Sequence, residues 1–113
     1  MRFFRSERVQ KLVREELSKI LGREMDFENA LVTITQVEVD KKLEHAKIFV
    51  SVIPEAAEET ALAALDREAG RLQHILTRTI NIKPMPRIMF AIDHGPQHAA
   101  DVEKLLDEQE DRD

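Results

Sequence analysis

Two runs rich in β-branched residues, Leu31 to Val39 and Ala46 to Val52, are joined only by the polar stretch Asp40-Lys41-Lys42-Leu43-Glu44 and His45. No other feature limits the fold as much. So short a connection lets the two runs pair antiparallel and excludes a parallel crossover, which needs about a dozen residues or more. Along the second run Ile48, Val50 and Val52 share one face, as in a half-buried strand. A third alternating run, with Ile88, Phe90 and Ile92 on one face, is reached only after a long helical stretch. A strand–helix–strand path of that kind usually returns parallel. The three runs therefore predict a mixed three-stranded sheet: a hairpin plus one returning strand.

The remaining apolar residues repeat at helical spacing. Val9, Leu12, Val13, Leu17, Ile20 and Leu21 mark a first helix, with Ser6 placed to cap its start and Gly22 to end it. A polar linker, Arg23 to Ala30, follows. Pro54 suits the first turn of a second helix, and Glu55, Glu58 and Glu59 favour its positive end. On this helix Leu62, Leu65, Ala69, Leu72, Leu76 and Ile80 form one stripe, which runs straight through Gly70. Glycine inside a helix costs about 1 kcal/mol relative to alanine. Two readings stand here: a long core helix that tolerates a glycine, or a helix–kink–helix at Glu68-Ala69-Gly70. Lys83-Pro84-Met85-Pro86-Arg87 then forces an extended path into the third strand. The order is α-β-β-α-kink-α-β, an α+β domain. After the turn Asp93-His94-Gly95-Pro96, the segment Gln97 to Leu106 fits a short helix, and residues 107–113 form an acidic tail expected to be disordered.

The chain has 113 residues, 42% of them apolar, which suits one domain with one core. With no cysteine, there is no disulfide or thiolate chemistry, and the composition fits a reducing cytoplasm. No run approaches the roughly 18 apolar residues of a membrane span. The basic start lacks the apolar run of a secretory signal. The net charge of −5 argues against a polyanionic partner until its distribution is considered. Residues 1–23 are basic on balance. The helix before Gly70 is acidic, with Glu55, Glu58, Glu59, Asp66 and Glu68. Residues 71–90 then hold Arg71, Arg78, Lys83 and Arg87 and no acid. Such a chain can show phosphates a basic face while acidic overall.

Arg5, Arg8 and Lys11 gather near the start of the first helix, where bases oppose the helix dipole and an external anion would relieve them. The competing reading is an ordinary solvated face. No catalytic motif is present. Three glycines, Gly22, Gly70 and Gly95, exclude a phosphate-cradling glycine loop. His94 and His98, with Asp93 and Asp101, have metal-ligand spacing, but Pro96 between them opposes a regular helix; no metal or cofactor is expected. All five aromatic residues are phenylalanine, too few for a base-stacking platform. Phosphates and RNA shape are the better targets, and the chain reads as a binding protein, not an enzyme.

Taken in order, Arg5-Ser6-Glu7-Arg8-Val9 with Glu16-Leu17 and Ile20-Leu21, Val32-Thr33-Ile34-Thr35, Ala46-Lys47-Ile48-Phe49-Val50, Gly70-x-Leu72 with Leu76, Pro86-x-Ile88-x-Phe90 with Asp93, and Leu105-Leu106 resemble the ribosome-binding factor A family. The resemblance runs from Arg5 to Leu106 and implies a single KH-like domain over residues 1–106, of the type with its extra helix and strand at the front. It implies a helix kink at Gly70 in place of the usual Gly-x-x-Gly loop. Glu68 departs from the alanine usual there, and Gln73 from a frequent base. The resemblance further implies a non-catalytic assembly factor that binds the free or immature 30S subunit near the 5′-terminal helix of 16S rRNA and assists late maturation and rRNA processing. Growth in the cold and displacement by a ribosome-associated GTPase belong to the same implication, as does an rRNA-facing role for Arg71, Arg78, Arg5 and Arg8. Lys83 and Arg87 come from the charge map alone, and a monomer is expected. The alternative is a protein-interaction module that uses the Ala-rich helix or a sheet edge without RNA.

Overall fold

The computed structural model describes the backbone of residues 2–95 and the side chains of residues 5–95. The helix expected over Gln97 to Leu106, the tail 107–113 and His98 lie outside the described residues. The strands β1 (Leu31–Val39) and β2 (His45–Ile53) pair antiparallel, and β3 (Arg87–Ile92) joins β2 in parallel, in the order β1-β2-β3. The mixed sheet is the one that the connection lengths predict. Helix α1 (Arg2–Glu24) lies over β1, helix α2 (Glu58–Thr79) over β3, and the two helices pack on each other.

The core forms between this helix pair and one face of the sheet. From α1 come Val9, Val13, Leu17, Ile20 and Leu21; from α2 come Ala61, Leu65, Leu72 and Leu76. They meet Ile34, Val37, Ala46, Ile48, Val50, Val52 and Ile88 of the sheet. β1 reaches this face only through a bulge. Ile34 faces Val50 and Gln36 faces Phe49, so Thr35 is one residue extra. The bulge shifts the alternation, which buries Ile34 before it and Val37 and Val39 after it. The freed Thr35 hydroxyl reaches across β2 and donates to the Asp93 carboxylate at 2.7 Å, tying β1 to the end of β3.

Three local expectations change. Ser6 does not cap α1, which begins ahead of it; its hydroxyl instead donates to the Val39 carbonyl at 3.2 Å. Gly22 does not end α1. The Met25 N–H still bonds the Leu21 carbonyl at 3.0 Å, and the chain turns later, at Asn29 with φ 59°. Pro54 leads into a single 3-10 turn, Glu55–Ala57, and α2 starts after it. The backbone stays helical through Gly70 in one element, as the reading of a long helix that tolerates a glycine expects. Leu43, in the polar connection, is buried at φ 58° and closes that end of the core.

Each edge strand is gripped near one end by helix side chains. On β1, the Gln10 carbonyl oxygen accepts the Val39 N–H at 3.0 Å, one helical turn beyond the Ser6 contact. On β3, the Gln73 carboxamide donates to the Pro86 carbonyl at 3.0 Å and accepts the Ile88 N–H at 2.8 Å. A carboxamide carries one donor end and one acceptor end, so Gln73 stands in for a neighbouring strand. Such grips blunt that part of an edge, which would otherwise recruit another chain.

Candidate nucleic-acid interface

The topology brings the start of α1, the end of α2, the β1–β2 connection and the start of β3 to one end of the fold. Three contacts fix that meeting. The Arg5 guanidinium donates to the Lys83 carbonyl at 3.1 Å. Ser6 and Gln10 hold Val39. The Arg87 N–H bonds the Glu44 carbonyl at 2.9 Å, beside the paired residues His45 and Arg87. Arg5, Arg8, Lys83 and Arg87, distant in sequence, thus share one end of the molecule, and all are exposed. Lys11 follows Arg8 by one turn and is exposed too. Arg78 is in the last turn of α2, two turns past Arg71 on the same face.

Glu7, Asp40 and Glu44 also lie at this end, and a second group of acids lies at the opposite one. The groove between the α1–β1 linker and the start of α2 is lined by Asp26, Glu28, Ala57, Thr60, Ala61 and Arg67. Glu55 in the 3-10 turn and Glu58 and Glu59 in the first turn of α2 add to it. The net charge of −5 belongs to the whole chain, and it coexists with the gathering of Arg5, Arg8, Lys83 and Arg87 at this end.

The expected cations differ sharply in how they are engaged. Arg71 is committed within the fold. Its Nε donates to Glu68 Oε2 at 2.7 Å, its Nη1 to Glu24 Oε1 at 2.9 Å and its Nη2 to the Glu24 carbonyl at 3.3 Å. The hydrogen bond to Glu68 raises the Arg71 pKa most, against a smaller desolvation, with Glu24 adding to the rise. Glu68 therefore bonds a cation of its own helix and does not present a bare carboxylate. Arg71 is a clamp between the end of α1 and the middle of α2. By contrast, Arg8, Lys11, Arg78, Lys83 and Arg87 form no side-chain hydrogen bond or ion pair among the described residues. Arg5 uses only its Lys83 contact, leaving most of its five N–H donors available.

Ala69 is half-buried and Gly70 exposed, and a methyl group placed on Gly70 would meet nothing within 4 Å. Nothing among the described residues requires glycine there. Gln73, the other departure, has a structural duty on the β3 edge. The sequence reading missed a recess at the basic end. A cavity of about 250 Å³ is lined by Arg5, Arg8, Val9, Leu12, Asn81, Ile82 and Lys83. The signal was the spacing of Arg5, Arg8 and Leu12 at three and four residues, which puts them on one helix face. Among the described residues no three metal-ligating side chains converge; His94 faces Glu58 at 3.5 Å. No helix among them is long and apolar enough to cross a membrane.

Comparison with known proteins bears on this arrangement. The family model described as Ribosome-binding factor A matches residues 5–106. A ribosome-binding factor A from Opitutus terrae is 35% identical over 105 residues, covering 92% of this chain and 86% of the relative. The crystal structure of ribosome-binding factor A from Thermus thermophilus superposes with a TM-score of 0.66 at 26% identity, over 77% of this chain and 94% of that one. A homology model of the T. thermophilus factor, fitted into a cryo-EM map of its complex with the 30S subunit, superposes with a TM-score of 0.64 at 26% identity, over 74% and 90% of the two chains. The α-β-β-α-β order with its mixed sheet is the KH-like fold of these structures.

Proposed function

The chain belongs to the ribosome-binding factor A family, and on that premise we propose that it binds the 30S ribosomal subunit as a maturation factor, through the basic end of the fold. The observation that carries this reading is the set of uncommitted cations. Arg5, Arg8 and Lys83 line one recess, Arg87 opens β3 at the same end, Lys11 lies one turn further along α1 and Arg78 in the last turn of α2, and no carboxylate side chain among the described residues bonds Arg8, Lys11, Arg78, Lys83 or Arg87. Cations held that way fit phosphates of a folded RNA, where contact depends on backbone position and not on base sequence. The partner region is the 5′-terminal helix of 16S rRNA, and the outcome is late 30S maturation and rRNA processing without a catalytic step. The factor acts in the cytoplasm as a monomer, supports growth in the cold and leaves the subunit when a ribosome-associated GTPase displaces it. Arg71 is outside the phosphate-binding set, because its three nitrogens are already engaged.

Co-sedimentation tests the proposal. The purified protein is centrifuged with small subunits, large subunits and intact ribosomes over a salt series. Binding to small subunits is expected, with affinity falling as salt rises. About four phosphate contacts give a log–log slope of roughly −3 to −4. Reversing Arg8 and Lys83 together to Glu abolishes sedimentation at moderate salt. Salt-independent binding, or none to any particle, refutes the reading in favour of a protein-interaction module.

A further inference from the structure

The recess at the basic end has a composition that flat phosphate binding does not need. Its rim carries the cations Arg5, Arg8 and Lys83, and its floor is Val9, Leu12 and Ile82. Asn81 adds one amide donor and one amide acceptor. The Arg5–Lys83 contact, 3.1 Å long, joins α1 to the loop after α2 and holds the two walls together. The phosphates of a duplex are on its outside and meet cations on an open surface. They do not reach an apolar floor. At about 250 Å³ the recess lies just below the size of drug-sized ligand pockets.

We infer that this recess takes one unpaired nucleotide of the RNA, its base on the Val9–Leu12–Ile82 floor, its phosphate between Arg8 and Lys83, and its base edge against Asn81. Each part has its chemical reason. Unpaired bases offer the apolar faces and free hydrogen-bonding edges that paired bases hide. An arginine guanidinium both stacks on a base plane and binds phosphate. The inference rests on the proposed RNA-binding role and narrows it: the basic end favours a helix junction, bulge or strand end over continuous duplex.

The test compares two RNA hairpins, one fully paired and one with a single-nucleotide bulge, by fluorescence anisotropy with the full chain. The bulged RNA is expected to bind about 10-fold more tightly, as burial of roughly 55 Å² of base face against the aliphatic floor supplies. Ile82→Gln takes away the apolar floor without adding an aromatic ring, and this variant binds the two hairpins alike. A second readout needs no variant. In methyl NMR spectra, adenosine monophosphate shifts Leu12 and Ile82, and inorganic phosphate at the same concentration does not. Equal binding of the two hairpins by the wild-type chain overturns the inference while leaving the phosphate-binding role in place. So does a preference that survives in Ile82→Gln, or an absence of methyl shifts. Failure to bind either hairpin or the small subunit overturns the proposed function itself.

Discussion

Replacing Gly70 with Ala is the sharpest test of how α2 is built. Gly70 is exposed, lies in the interior of a 22-residue helix and has a helical backbone. The added methyl group meets no atom within 4 Å, so no steric cost offsets the gain. The gain is the full difference in helix propensity, about 1 kcal/mol, most of it lost backbone freedom in the unfolded chain. For a domain of this size that raises Tm by about 4–8 °C. Differential scanning calorimetry measures it directly. Gly22→Ala is an internal control, since its methyl group is equally unobstructed and it too lies within a helix. Its gain is smaller, because Gly22 is in the last turn of α1, where the helix frays. A lower Tm for Gly70→Ala refutes the reasoning and returns a structural kink to Glu68-Ala69-Gly70. A raised Tm with weaker 30S binding has a different meaning. The glycine then serves the close approach of a partner, a role paired with a standing cost to stability.

Gln73→Leu removes both hydrogen bonds to the β3 edge and is expected to destabilise by about 2 kcal/mol in urea unfolding, at about 0.5–1.5 kcal/mol for each bond. Arg71→Met loosens the α1–α2 clamp. Its effect on Tm is smaller than that of Gln73→Leu and shrinks at high salt, because the pair with Glu24 is exposed to solvent; 30S binding falls less than in Arg8→Glu. At Asp40, desolvation alone raises the carboxyl pKa, but the Glu44 N–H and the His45 side chain and N–H together bring it below the ordinary carboxylate value. A lowered folded-state pKa gives stability that is present above the unfolded value and lost as pH falls through the folded one. The Tm gap between the wild-type chain and Asp40→Asn therefore closes in acid; a constant gap shows that the turn gains nothing from the charge.

What was legible in the sequence was set by period and connection length. The short polar connection after Val39 dictated the hairpin, and the long helical stretch dictated parallel return of β3. The stripes on both helices predicted most of the core, but on α2 Ala61 is buried where the stripe had Leu62, and Leu62 and Ala69 are only half-buried, because the face that packs is set by where α1 and the sheet lie. What was not legible depends on partners far along the chain. Ser6 has the composition of a helix cap, but its acceptor, the Val39 carbonyl, is 33 residues away. Gly22 and Gly70 resemble helix breakers only until tertiary packing carries the helices through them. Arg71 belonged to a basic run on the charge map, and nothing local shows that Glu24, 47 residues earlier, holds it. The bulge at Thr35 left a mark that alternation counting passed over: the β-branched positions change phase between Ile34 and Val37. At the candidate interface the cation types were readable, but the meeting of Arg5, Arg8 and Lys83 at one recess is a property of the topology.

The two glutamines on the sheet edges also act as gauges of axial position. Gln73 grips the Pro86 carbonyl and the Ile88 N–H at the start of β3, and sliding α2 by one residue, a rise of about 1.5 Å, misaligns both grips at once. Gln10 and Ser6 index α1 against Val39 in the same manner. The permitted offsets of each helix are thereby discrete, not continuous. Arg78 rides five residues beyond Gln73 on α2, and Arg5 and Arg8 flank Ser6 on α1. The distance between the charges at the basic end is thus metered from the far edges of the sheet, so a conservative change at Gln10 or Gln73 alters the spacing of those charges.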